Sequence, residues 1–301
     1  MKRTSLKKLL IATIVLAAGL ISGGCGLDQK GMILFTDPSY HATVVGTDHD
    51  GFTVPDGILW SQGRFLIADE GGAAFRVWSG PGHVTTLCDS KIGVKSPEDM
   101  AVDAAGNIYF TDDDTGGVWK IPNLGEPKQL VGKDKGLVST EGIVLTPAGN
   151  LLVGDGEAHK VFTVTPDGEV SEFLGANAGI SKAESMVFDE KGDLFIADNE
   201  DNVLYLMTAD KRLHRLIEHR DGFSPETLWY SRGVLYITDS KDGKLFKYTP
   251  EDGLSVIAVF GGQLHAVNGI TTDDDGAIYV SIQTDLKKKI GYLVKIEQDR
   301  R

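Results

Sequence analysis

The sequence predicts an all-β fold, a six-bladed β-propeller of four-stranded blades with the ring closed by an N-terminal strand. Three observations carry that reading. An acidic or amide side chain recurs at Asp56, Glu98, Glu141, Glu184, Glu226 and Asn268, at separations of 42, 43, 43, 42 and 42 positions. A short loop with an apolar anchor precedes each one: Gly51-Phe52, Gly93-Val94, Gly136-Leu137, Gly179-Ile180, Gly222-Phe223 and Gln263-Leu264. Four short strand-like runs then follow in the same order in each unit.

The first run is exemplified by Met100-Ala101-Val102 and Ile143-Val144-Leu145. A turn comes next, with Gly63, Gly106, Gly149, Gly192, Gly233 or Gly276 where a positive φ is expected. The second run is the most apolar, as in Phe65-Leu66-Ile67-Ala68 and Leu151-Leu152-Val153. Continuous apolar runs suit strands covered on both faces, as stacked blades provide. Gly117-Val118-Trp119-Lys120-Ile121 represents the third run and Lys128-Gln129-Leu130-Val131 the fourth. The last unit stops after Tyr292-Leu293-Val294-Lys295-Ile296 without a fourth strand, and Ala42-Thr43-Val44-Val45 reads as the missing one. The segment Met32-Ile33-Leu34-Phe35 is then one strand more than the plan requires.

Residues 1–24 read as a secretory signal: basic residues among the first eight, then an apolar stretch from Leu9 to Leu20 too short for a comfortable membrane span. Ile21-Ser22-Gly23-Gly24-Cys25 resembles the lipobox of bacterial lipoproteins, with Ser22 where leucine is usual. That resemblance implies cleavage before Cys25, lipidation there and attachment to a membrane of the bacterial cell envelope, facing the periplasm or exterior. Residues 25–31 would be a short tether and 32–301 a single propeller. The alternative is an ordinary secretory signal with Cys25 incidental.

Removing the signal takes Lys2, Arg3, Lys7 and Lys8 from the 30 basic residues, leaving 26 against 43 acidic ones, a net of −17. Such a surface disfavours nucleic acid as a partner. Cys88 then stands alone, unable to form an internal disulfide, and reads as a small core residue.

The recurring polar residue opens the first strand of each blade, the strand that lines a propeller's axis. Five carboxyls and one amide therefore meet at one mouth. At ~8 Å and an effective dielectric of 20, each charge pair costs about 2 kcal/mol. Either some carboxyls keep protons or a hard cation with oxygen ligands is bound; a wet channel with upward-titrated carboxyls is the bland alternative. A second recurring acid, at Asp69, Asp112, Asp155, Asp198 and Asp239 with Ile282 in the last blade, reads as a turn brace bonding amides two residues on. Asp273-Asp274-Asp275-Gly276 lacks the closing Glu of a calcium loop and is an ordinary turn. Gly-x-Ser-x-Gly, His-Glu-x-x-His and phosphate-loop patterns are absent. His265 is the one histidine expected near the mouth, and Trp60 and Trp229 are expected to pack between blades.

The stretch from Pro97-Glu98-Asp99-Met100 through Thr111-Asp112, and Val267-Asn268-Gly269-Ile270 through Asp275-Gly276, resemble blades of the regucalcin/gluconolactonase superfamily (the senescence marker protein family). NHL-repeat propellers share the phrasing. The resemblance implies a divalent cation on the axis, Ca²⁺ first and Zn²⁺, Mn²⁺ or Mg²⁺ as alternatives, held by a Glu, an Asn and an Asp at first-strand positions. Asn268-Gly269 and Pro55-Asp56-Gly57 match the family phrases, and Glu141-Gly142 supplies the Glu after a circular shift of blade order. Without the shift the set is Asp56, Glu184 and Glu226. The expected ligands are thus Asp56, Glu141, Asn268 and Glu184, and Glu98 or Glu226 would serve as general base in hydrolysis of a lactone or related ester. The family's Arg-Pro-Asn-Asp phrase is missing, with Ser96-Pro97-Glu98-Asp99 its nearest echo. A reading from another class is a non-catalytic module that presents its mouth to a protein, glycan or peptide.

Overall fold

A computed structural model describes residues 32–218, 222–264, 266–285 and 290–299. The signal, Cys25, the tether and His265 lie outside the described residues. Six antiparallel sheets are arranged as blades of a propeller. Blade one comprises Pro55–Ser61, Arg64–Asp69, Ala74–Trp78 and Val84–Asp89, and blade two Pro97–Val102, Ile108–Asp112, Gly117–Ile121 and Lys128–Val131. Blade three runs Thr140–Leu145, Leu151–Asp155, Lys160–Val164 and Val170–Leu174, and blade four Ala183–Phe188, Leu194–Asp198, Val203–Met207 and Leu213–Glu218. Blade five holds Leu228–Ser231, Val234–Asp239, Lys244–Thr249 and Gly253–Phe260, and blade six Ala266–Thr272, Ile278–Asp285 and Ile290–Gln298. Each first strand touches the first strands of both neighbouring blades, blade six meeting blade one.

Closure follows the expected clasp: Tyr40–Thr47 pairs with Ile290–Gln298 as the fourth strand of blade six. The surplus segment has a place as well. Ile33–Phe35 adds a fifth strand to blade five, with Ile33 opposite Phe260 and Phe35 opposite Ala258. Ile33 and Phe35 pack on the core of blades five and six, while Leu34, of opposite pleat, is 50% exposed.

The second strands are buried on both faces, Leu151, Leu152 and Val153 among them. Aromatic rings knit adjacent blades: Phe75 of blade one stacks on Phe110 of blade two at 4.8 Å. Trp60 stacks on Tyr279 at 6.2 Å across the closure, and the Trp229 indole donates to Thr272 Oγ1 at 3.0 Å. Both tryptophans therefore pack between blades. Cys88 is free and buried, and burial pushes its thiol up to about 12.

All six loop anchors, Phe52, Val94, Leu137, Ile180, Phe223 and Leu264, are buried. The turn before the first ends at Gly51 with φ 101°, which reverses the chain and drops Phe52 into the core. The recurrent aspartates brace these same loops, reaching further than two residues. Asp155 accepts from Ala158 N three residues on at 2.9 Å, and also from Val138 N at 2.7 Å and Ser139 N at 3.2 Å, upstream by 17 and 16 residues. Asp69, Asp112, Asp198 and Asp239 likewise accept amides of the segment just before the axial residue of their own blade. Each brace thus ties the end of the second strand to the start of the first.

Candidate axial site

Five of the six axial residues lie where the first strand slips register. Pro55 pairs with Asp69 and Ile58 with Ile67, so Asp56 and Gly57 together oppose Ala68, a bulge that re-aims the side chain. The same shift surrounds Glu98, Glu141, Glu184 and Asn268. In blade five Glu226 stands just ahead of the first strand, its amide donating to Thr238 O at 2.8 Å.

Neighbouring blades hold the bulges in place. Ser281 Oγ donates to Asp56 O at 2.6 Å, Thr111 Oγ1 to Glu141 O at 2.5 Å and Thr238 Oγ1 to Asn268 O at 2.5 Å. Gly57 permits the close approach of blade two, since a Cβ there would stand 2.2 Å from Glu98 O.

The six residues do not share one environment. On the side of blades six, one and two, Asn268 Nδ2 donates to Asp56 Oδ1 at 2.6 Å, and Asp56 shares a hydrogen bond with Glu98. Ser96 Oγ reaches Glu98 Oε1 at 3.1 Å and Glu70 Oε1 at 3.5 Å, and Gln283 Nε2 donates to Glu70 Oε2 at 3.1 Å. Asn268 Oδ1 is buried without a hydrogen-bond partner among the described residues. Burial, then the neighbouring Asp56, hold the Glu98 carboxyl well above the usual range. The same two causes raise Glu70 to about 7. Asp99, buried beside Glu98 and accepting from Met100 N and Ile143 N, is also pushed up to about 7, chiefly by burial.

On the side of blades three and four a cation is built in. Lys182 Nζ lies 3.1 Å from Glu141 Oε1 and 2.9 Å from Glu184 Oε2. Burial opposes the ammonium, yet Glu184 and Glu141 overcome it and raise the Lys182 pKa. Burial raises both glutamates too, against the lowering influence of Lys182. Five uncompensated carboxylates are therefore not what meets at the axis. In blade five Glu226 accepts from Ser240 Oγ at 2.6 Å and Asn199 Nδ2 at 3.3 Å, and burial raises it as well.

Of the four expected ligands, Asp56 and Asn268 are brought into contact, while Glu141 and Glu184 are gathered by Lys182. The expected bases, Glu98 and Glu226, fall in separate clusters. Among the described residues no three or more His, Cys, Asp or Glu side chains form a group that could hold a metal, so a cation site here would need the Asn268 amide.

Lys182 and an outer polar tier are what sequence reasoning missed. Lys182 occupies the position two before the axial residue, where Ser96, Ser139 and Ser224 stand in other blades, and this exception was legible in the repeat. The tier consists of the residue after each brace: Glu70, Asp113, Asn199, Ser240 and Gln283, with Gly156 in blade three. A Cβ at Gly156 would press on the Lys182 stem at 3.1 Å and Glu141 Oε1 at 3.3 Å, so the missing side chain makes room for the lysine. A cavity of about 600 Å³ opens there, lined by Asp113, Glu141, Gly156, His159 and Lys182 among others.

Fold and site together define a six-bladed propeller with an acidic axial mouth divided by one lysine. A sequence model described as strictosidine synthase-like, N-terminal, matches residues 86–121, the passage from blade one into blade two. No curated protein matches the chain. Among solved structures it is similar to a gluconolactonase from Xanthomonas campestris, 15% identical, TM-score 0.66, covering 83% of this chain and 89% of that one. A catalytically inactive virginiamycin B lyase from Staphylococcus aureus with quinupristin is 16% identical, TM-score 0.65, covering 86% of this chain and 100% of that one. A nidogen/laminin complex contains a chain 19% identical, TM-score 0.61, covering 72% of this chain and 84% of that one. In fold, the chain is a six-bladed propeller similar to the gluconolactonase structure. A gluconolactonase, a lyase and a member of a nidogen/laminin complex are all similar to it in fold, so the fold alone leaves the activity open.

Proposed function

We propose that the axial mouth is a hydrolytic site for lactones or related esters, in a chain held at a bacterial cell envelope through a lipid on Cys25. The supporting observation is the polar line Glu70, Ser96, Glu98, Asp56 and Asn268, which crosses three blades and ends on a buried amide oxygen without a partner among the described residues. Two carboxyls in contact beside that oxygen are a donor set that fits a hard divalent cation, Ca²⁺ first and Mg²⁺, Mn²⁺ or Zn²⁺ after it. Asp56, Glu98 and Asn268 would hold it. Glu141 and Glu184 fit less well, because their charge is already met by Lys182. A bound cation there would supply polarisation of a substrate carbonyl and of a water.

The chain's own groups have separate duties. Glu70 stands at the outer end of the line with a pKa of about 7, suited to taking a proton near neutrality and returning it. Glu226, fixed by Ser240 and Asn199, is the second candidate base. Glu98 passes in this reading from proton transfer to cation holding. Its raised pKa means that a proton must leave before a cation is held, so affinity increases with pH.

Calorimetric titration of a soluble form with Ca²⁺ at pH 6 and pH 8, together with a lactone panel, tests the proposal. Binding is expected to tighten at pH 8 and to be lost in Asn268→Ala, and hydrolysis to be lost in Glu70→Gln with Ca²⁺ binding retained. A protein that binds no divalent metal and hydrolyses no member of the panel overturns it. The second reading, a non-catalytic binding propeller, is favoured by Lys182, which closes half the mouth with an internal ion pair. It prevails where Asn268→Ala abolishes metal dependence and binding of a protein or glycan partner survives.

A further inference from the structure

The strand Ile33–Phe35 joins the propeller at an informative place. Met32 O accepts from Gly261 N at 2.7 Å, and Gly261 leads into the turn Gly262–Leu264 and then the first strand of blade six, which carries Asn268. Ile33 pairs with Phe260, the mouth-side end of the fourth strand of blade five. The N-terminal segment therefore enters the propeller at the rim of the face that bears the acidic mouth, not at the opposite face.

Seven residues, Cys25 to Gly31, precede Met32. At about 3.4 Å each they reach at most ~24 Å. The fourth strand of blade five, with eight residues, likewise spans seven steps, about 24 Å at the usual rise, and the turn at 250–252 lies beyond it. As a flexible chain seven residues span only ~15 Å on average, so a tether starting at the mouth-side rim lays the far face against a membrane only when stretched taut along the whole outer wall.

We infer that the lipid on Cys25 turns the axial mouth toward the membrane, so that the bilayer screens the site and admits small or lipid-borne ligands while excluding folded proteins. The inference rests on the lipid anchor proposed above. The gap is no deeper than the tether, and even a 100-residue domain, with a radius of gyration of about 13 Å, is wider than that. Net acidity keeps the mouth from collapsing onto an anionic surface, which leaves the gap open from the side. Of the two functional readings, the geometry favours a small-molecule site over a protein-docking module.

The test uses the full-length acylated chain in vesicles, with single cysteines placed for biotin–maleimide labelling. Asn177→Cys lies in the exposed turn Ala176–Ala178 on the mouth face, and Leu124→Cys, 92% exposed, on the far face between the third and fourth strands of blade two. Cys88 is buried with its thiol held near 12, and stays unlabelled. Streptavidin capture in vesicles is expected to be at least tenfold slower at position 177 than at 124. Detergent, or a twenty-residue Gly/Ser insertion after Lys30, should equalise the two rates. Equal capture in vesicles by a chain whose Cys25 is acylated by mass spectrometry overturns the orientation and leaves the anchor standing. An unmodified Cys25 overturns both. Slow capture at 177 that the insertion does not relieve also sinks the inference, since the tether would not be its cause.

Discussion

Replacing Lys182 with methionine tests the divided mouth most directly. Its ammonium stands 3.1 and 2.9 Å from two carboxylates whose side chains are only 6% and 13% exposed. At an effective dielectric of 20 each contact is worth about 5 kcal/mol before desolvation is subtracted. Deleting one partner of a buried ionic cluster costs about 3–5 kcal/mol, because the remaining charges are left uncompensated. Methionine keeps the volume of the stem, so a cavity contributes little. The loss must also depend on pH. Both glutamates have folded pKa values above the ordinary one, so the folded state binds more protons than the unfolded chain over the window between. Stability then falls as pH rises through that window, and removing the lysine steepens the fall. The expected result in thermal melts followed by circular dichroism is a loss of about 3 kcal/mol at pH 8, roughly 6–12 °C, and about 1 kcal/mol at pH 5. Adding Glu184→Gln to Lys182→Met should recover part of the loss at pH 8. A single variant that melts with the parent at pH 8, or that loses the same amount at both pH values, refutes the reasoning.

Two further substitutions probe the scaffold. Asp155→Ala leaves the amides of Val138, Ser139 and Ala158 without their acceptor, and at about 1–3 kcal/mol per buried unmet group the unfolding free energy in urea should drop by roughly 3 kcal/mol or more. Gly57→Ala sets a methyl 2.2 Å from Glu98 O, where backbone must give way; a loss of about 1–3 kcal/mol is expected, with a weakened Ca²⁺ response from the displaced Asp56. A wild-type melting curve for Gly57→Ala would show that the blades are not in the close contact described.

Much of the architecture was readable from short-range pattern. Glycine at a left-handed turn, the apolar anchor behind it and the continuous apolar second strand are each set by a few adjacent residues, and six copies reinforce one another. The clasp was legible because the last unit lacks a strand and the first has one to spare. Ile33–Phe35 resisted placement because joining blade five depends on an edge left free about 225 residues later. The braces were recognised by type but not by reach, since their main partners lie 15–17 residues upstream.

By itself, then, the sequence determined the blade count, the strand order and which six residues meet the axis, because a repeat repeats its local geometry. The tertiary structure alone decided how those six divide. Asp56 and Asn268 are 212 residues apart and touch only because the ring closes. Lys182 turns its charge on Glu141 as well as Glu184 only because blades three and four are adjacent and Gly156 leaves room between them. Identical positions in a repeat share a backbone, but each finds different neighbours, and those neighbours set the charge.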